Sequence, residues 1–255
     1  MNDDDSFGSS FIVPRSAFVV MIIFGMNPVL EAIRSHPDRI HYIAVAKGAH
    51  TNRVFDAAKK AGVPVRILPA EQIDRLARGV NNGVLADVSD ASYADFDEII
   101  ARDETNFVLL LDGITDPQNF GAILRVAEGF GVNVVVIPQH DSVGLTPAAV
   151  KASAGASEWI PVAQVTNLAR TIEELKKREF WVYGAADGGD APAAIDFSGR
   201  VAVVLGSEGK GIRRNVLEHC DRVVTIPMAG RVTSFNVATA AAVVCYEVQR
   251  QRKSE

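Results

Sequence analysis

From Ile22 onward, short apolar runs alternate with segments whose apolar residues recur every three or four positions, the pattern of strands interleaved with helices. Pro28 to Ser35 has helical spacing, with Val29, Leu30 and Ile33 apolar. His41 to Ala46 predicts a strand, Arg53 to Ala61 a helix stopped by Gly62, and Val63 to Leu68 another strand. A short helix over Ala70 to Arg78 and a strand over Val84 to Val88 complete a small α/β unit. Ser89 to Thr105 is polar and acidic, with a helix-like stretch from Phe96 to Ala101, and is expected to link this unit to the next.

The second half is patterned more strongly. Phe107 to Leu111 is a continuous apolar run, as in a strand buried on both faces. Helical segments are predicted over Asn119 to Phe130, Thr146 to Ser153, Asn167 to Arg178, Ile212 to Glu218 and Asn236 to Arg250. Between them fall strands over Val132 to Pro138, Trp159 to Val162, Phe180 to Ala185, Val201 to Leu205 and Arg222 to Ile226. Alternation predicts a parallel sheet flanked by helices in this second half, hence an α/β fold with two units, a small α/β unit over 21–89 and a parallel-sheet unit over 106–252, joined by a linker at 90–105.

The first twenty residues stand apart. They begin with acids, and Ala17 to Phe24 is apolar but far too short to span a bilayer. A secretory signal would begin with positive charge instead. Residues 1–20 are therefore expected to be a disordered extension, or the product of a start site placed too far upstream. Two cysteines, Cys220 and Cys245, make no disulfide framework and fit a reducing cytosol. Cys245 lies in an apolar run and is expected to be buried. The net charge of −5 counts mildly against a nucleic-acid binder but leaves room for a local basic patch. The five histidines lack metal-ligand spacing, so no metal is expected. Trp159 and Trp181 fall in strand-like segments and are expected in the core.

Ligands of parallel sheets bind beyond the carboxyl ends of the strands, which makes three loops informative. The first, Asp112 to Gly121, contains the turn signal Asp116-Pro117, and Asn119 is a candidate helix cap. Arg125 is expected less than two turns into that helix, at the same end of the sheet as Asn119. The second, Leu205 to Ile212, carries three glycines but matches neither the P-loop nor the GxGxxG fingerprint. Glu208 at its centre would repel a phosphate. The third, Ile226 to Val237, leads into an alanine-rich helix, with Ser234 and Asn236 as candidate caps. Each loop taken alone also has a purely structural explanation.

Taken together and in order, DPQNFGAILR (Asp116 to Arg125), VLGSEGKGI (Val204 to Ile212) and IPMAGRVTSFNVATA (Ile226 to Ala240) resemble the motifs of the SpoU/TrmH family of RNA ribose 2′-O-methyltransferases, within the SPOUT superfamily. GMNPVLEAI, VTNLARTI and GIRRNVLEHCD are similar to the subgroup that methylates a guanosine in the peptidyl-transferase region of large-subunit ribosomal RNA. The resemblance implies S-adenosylmethionine as cofactor, RNA as substrate, a homodimer, and a C-terminal segment threaded into a trefoil knot. It also implies an RNA-binding role for the N-terminal unit. By the same carry-over Asn119, Arg125, Glu208, Ser234 and Asn236 form the catalytic set, with Arg125 implicated in deprotonating the ribose hydroxyl. Gly206, Ile226 and Phe235 are the implied cofactor contacts. Phe235 stands where the family usually has Leu, and Ala238 where it has a second Ser.

Three other readings compete. Transfer RNA is an alternative substrate for the same chemistry, although basic terminal extensions are short here. A catalytically inactive RNA-binding factor is disfavoured by the presence of all five implied catalytic residues. A nicotinamide oxidoreductase rests on fold alternation alone and lacks its fingerprint.

Overall fold

The computed structural model describes residues 20–49, 51–77, 79–89 and 93–252. The expectation for residues 1–19 lies outside them. Val20 already belongs to the first strand.

The N-terminal sheet has four strands, β1 (Val20–Phe24), β2 (Ile40–Ala46), β3 (Val65–Leu68) and β4 (Val84–Ser89), in the order β1-β4-β2-β3. It is mixed: β4 runs antiparallel to both β1 and β2, while β2 and β3 are parallel. Alternation along a sequence sets the elements but not their directions. Here Asn82 and Gly83, both in the left-handed region at φ 54 and 71, turn the chain so that β4 inserts against its neighbours. The helices α1 (Met26–Ser35) and α2 (Asn52–Ala61) bury Val29, Leu30, Ile33, Val54 and Ala58 on one face. The helix α3 (Ala70–Ala77) covers the other with Ile73 and Ala77. Gly62 ends α2 in a left-handed turn, as its sequence position predicts.

The short helix α4 (Phe96–Ile100) is capped by the Asp95 side chain and packs Ile99 and Ile100 against a second sheet. This sheet has six strands, all parallel: β5 (Phe107–Asp112), β6 (Val134–Pro138), β7 (Val162–Val165), β8 (Trp181–Asp190), β9 (Val201–Gly206) and β10 (Arg222–Val224). Along β5, Leu109 and Leu111 face one layer while Val108 and Leu110 face the other, so the strand is buried throughout. Each such leucine contributes about 1.5–3 kcal/mol by leaving water. The helices α5 (Pro117–Gly129), α6 (Pro147–Ala152) and α9 (Val237–Arg252) cover the first face. The second is covered by α4, α7 (Leu168–Lys177) and α8 (Arg214–Leu217).

α6 joins the two halves. Ala149 belongs to the core of the large sheet and Val150 to that of the small one. Lys151 Nζ donates to the carbonyl of Val80 at 2.6 Å and lies over the Phe24 ring.

Two tryptophan expectations are overturned. Trp159 and Trp181 are each 52% exposed. Trp159 precedes its strand, which starts at Val162, because Ala156–Glu158 form a tight helical turn. Trp181 opens β8 at the sheet rim, stacked beside the Arg222 guanidinium. Cys245 is fully buried as expected, and burial pushes its thiol up to about 12.

Candidate active site

The large sheet is ordered β10-β8-β9-β5-β6-β7, so β5 and β9 are neighbours although three strands separate them in sequence. From β5 the chain winds outward to β6 and β7. It then returns to build β8, β9 and β10 on the other side. A crevice opens where the winding reverses. Asp112 and Gly206 are paired at the ends of these two strands, which sets the first and second loops side by side.

In the first loop it is Asp116 that caps α5, accepting from the amides of Gln118 and Asn119 at 3.2 Å, with Pro117 opening the helix. Asn119 is therefore not the cap, and its amide side chain is free to act elsewhere. Starting the helix two residues earlier also places Arg125 more than two turns in.

The second loop folds on itself. Ser207 and Gly211 exchange both backbone hydrogen bonds, and Gly209 and Gly211 adopt φ of 80 and 66. A Cβ on Gly206 would overlap the backbone of Gly211 and Ile212. The glycines thus serve the loop's own geometry, and its tip lifts Glu208 into solvent. Asp112, 1% exposed, fastens the base of this loop. Its carboxylate accepts the Arg213 amide and Nε, both at 2.7 Å. The sequence reading gave neither Asp112 nor Arg213 a role. A lone acid closing a buried strand run was the available signal.

The third loop, residues 225–236, has no regular structure. Thr225 anchors its start, donating to Ala186 O and accepting from Gly189 N. Among the described residues, no backbone group of 226–235 pairs with another backbone group. Ile226 is half-buried, and Phe235 is 44% exposed. Unpaired amides and carbonyls beside exposed apolar side chains suit a ligand held by backbone and apolar contacts, as the resemblance implies for S-adenosylmethionine. Ser234 is exposed and makes no side-chain hydrogen bond among the described residues. The cap of α9 is Asn236, whose Oδ1 accepts from Ala238 and Thr239.

The three loops converge on one cluster. Asn236 Nδ2 donates to Asn119 Oδ1 at 2.8 Å and to Glu208 Oε1, and Asn119 Nδ2 donates to the same Glu208 oxygen at 3.3 Å. One carboxylate oxygen is held by two amides, while Oε2 accepts no hydrogen bond among the described residues. Arg125 is not part of this set. Six residues beyond Asn119, it lies roughly 9 Å along α5 and about 120° around it. It lines a separate cavity with Glu31, Glu128 and Trp159. Among the described residues no group of three metal-ligating side chains is present.

Residues 106–246 match the model of the SpoU rRNA Methylase family, and residues 22–94 match the family model described as RNA 2′-O ribose methyltransferase substrate binding. The chain is 41% identical to the TrmH-family protein YacO of Bacillus subtilis, over 90% of this chain and 95% of that one. It is also 41% identical to the 23S rRNA (guanosine-2′-O-)-methyltransferase RlmB of Pseudomonas syringae, covering 91% and 96% of the two chains. The fold matches that of the SpoU methyltransferase AviRb of Streptomyces viridochromogenes, solved in complex with AdoMet. The TM-score is 0.79 at 23% identity, with 92% of each chain covered. The chain belongs to the SpoU rRNA methylase family.

Proposed function

We propose that this protein transfers a methyl group from S-adenosylmethionine to the 2′-hydroxyl of a guanosine ribose in large-subunit ribosomal RNA. The observation that carries the reading is the hydrogen-bonded set of Asn119, Glu208 and Asn236. It gathers one residue from each family motif at the crevice of the sheet. The activity named for the RlmB relative, alike over nearly the whole chain, supports this substrate. In this reading residues 21–89 bind RNA, 90–105 link, and 106–252 catalyse, with the C-terminal segment threaded as a trefoil knot.

When bound, S-adenosylmethionine supplies a methyl group on a positively charged sulfur. The chain's part is to place the ribose. Gly206, Ile226 and Phe235 border the cofactor site, where the open backbone of 226–235 recognises polar edges. Asn119 and Asn236 fix Glu208, whose free Oε2 accepts from the ribose. Ser234, without a side-chain partner among the described residues, is an exposed donor at the same rim. Arg125 is also unpaired among the described residues and can meet an RNA phosphate. Alignment of the hydroxyl oxygen with the breaking carbon–sulfur bond is the main source of acceleration. As the oxygen gains the methyl group it loses its proton, and the resemblance implicates Arg125 with an RNA phosphate in that step.

A homodimer in the cytoplasm completes the reading. Val243 and Tyr246 on α9 are exposed, and Tyr246 meets Phe130 of α5 edge to face, leaving an apolar face for a second copy. No helix among the described residues is long and apolar enough to cross a membrane.

The test supplies methyl-labelled S-adenosylmethionine with unmodified large-subunit ribosomal RNA, and transfer RNA in parallel. Label at one ribosomal guanosine is expected. Label confined to transfer RNA would keep the chemistry and overturn the substrate.

A further inference from the structure

The chain carries a net charge of −5, so a polyanion needs positive charge gathered where it binds. Two of the crevice loops supply it. Ser207 and Gly211 exchange both backbone hydrogen bonds, which leaves Glu208, Gly209 and Lys210 as the tip of the second loop. Lys210 is exposed, and its ammonium group has no partner among the described residues. Two residues of chain span at most about 7 Å, so Lys210 stays close to Glu208. Arg231, in the third loop, is also exposed and has no side-chain partner among the described residues. It stands three residues before Ser234, within about 11 Å of it whatever path the loop takes.

The other charges of residues 205–236 are already engaged. Arg214 pairs with Glu218, and Asp221 with Lys176. Arg213 is tied to the buried Asp112, and Arg222 lies over the Trp181 ring. One acid and two bases remain exposed without an ion-pair partner: Glu208, where the ribose is placed, with Lys210 and Arg231 near it. This pattern suits a nucleotide within a strand. Such a ribose is flanked by two phosphates, and the 3′ phosphate hangs on the carbon next to the one bearing the 2′-hydroxyl. An acid that accepts from that hydroxyl therefore meets a phosphate's negative charge at close range. A lysine on the same loop tip offsets the repulsion and binds the phosphate as a point charge. A base on a second loop holds the strand at another point.

We propose that Lys210 and Arg231 bind the RNA backbone beside the target ribose, Lys210 at the phosphate 3′ to it and Arg231 at a neighbouring one. The proposal rests on the ribose methyltransferase reading. Arg125, at the junction of the two units, meets the strand elsewhere.

The test measures binding of the full chain to a large-subunit RNA fragment containing the target guanosine, by fluorescence anisotropy at salt from about 50 to 200 mM. Each lost phosphate contact lowers the slope of log affinity against log salt by about 0.7–0.9. Lys210→Ala and Arg231→Ala are each expected to lower it by that amount, and the double variant by twice as much. Lys210→Arg is expected to keep the wild-type slope. Arg178→Ala removes an exposed cation ahead of β8, at the opposite end of the sheet, and is expected to change nothing. In both crevice variants KM for RNA is expected to rise several-fold, with kcat and cofactor affinity nearly unchanged. A second RNA, 2′-deoxy at the target with one neutral methylphosphonate as its 3′ linkage, locates the Lys210 contact. The wild type is expected to bind it several-fold more weakly than its phosphodiester counterpart, and Lys210→Ala to bind the two alike. A wild-type slope in either alanine variant, an undiminished methylphosphonate penalty in Lys210→Ala, or loss of cofactor affinity alongside the slope would overturn the assignment alone. Failure of the wild type to bind or methylate the guanosine RNA would remove the functional reading and these contacts with it.

Discussion

Asn236 performs two tasks with one side chain. Its oxygen caps α9 and its nitrogen holds Glu208 and Asn119. The tasks can be separated, because aspartate caps a helix as well as asparagine does. Asn236→Asp is expected to leave stability nearly unchanged, while replacing a donor with a charge that repels Glu208 and removing most methyl transfer. Asn236→Ala loses both and costs about 1 kcal/mol of stability as well. Chemical denaturation beside a transfer assay distinguishes the two variants. A second residue carries a pH signature. Arg250 and Gln251 donate to Glu247 and hold its carboxyl at about 2, below the ordinary 4.5. A depressed carboxyl stabilises the fold fully above the unfolded value and loses that contribution as pH falls through the folded one. Denaturation midpoints of wild type and Glu247→Gln should therefore differ most near neutrality and converge between pH 4.5 and 2.

At the scale of elements, α5 and α6 are held close by a missing side chain. A Cβ on Gly121 would lie 2.6 Å from the Ala149 carbonyl oxygen and 2.7 Å from the Ser153 nitrogen. Alanine favours a helix over glycine by about 1 kcal/mol, but overpacking costs about 1–3 kcal/mol. The clash wins, so Gly121→Ala is expected to lower the melting temperature and to shift the turn after α6. A rise in melting temperature would show that α6 gives way freely. The strands and helices were mostly legible in the sequence, since apolar period and glycine stops act locally. The failures share one cause. The cap at Asp116 and the exposure of Trp159 and Trp181 depend on what the chain meets after it folds. Trp159 reads as core because nothing local marks the turn before β7 as the wall of a cavity.

Across the whole molecule, the order of the strands explains why three loops far apart in sequence form one site. The motifs named the members of the set, but the role of Asp112 emerged only from its pairing with Arg213 across the crevice. Arg125 was expected at the same end of the sheet as Asn119; its six-residue offset along α5 carries it instead to the junction of the two units, beside Glu31 and Trp159. Substrate bridging both regions would reunite them. Arg125→Ala is therefore expected to abolish methyl transfer while leaving cofactor affinity within a few-fold, as isothermal titration beside the transfer assay would show. Loss of both together would mean that Arg125 supports the fold of the site instead. The central claim concerns the atom that receives the methyl group. Digestion of labelled ribosomal RNA to nucleosides, after incubation with the wild-type protein and methyl-labelled S-adenosylmethionine, reads that atom directly. The account predicts label in 2′-O-methylguanosine. Label in a base-methylated nucleoside, or no label although the cofactor binds, would contradict it.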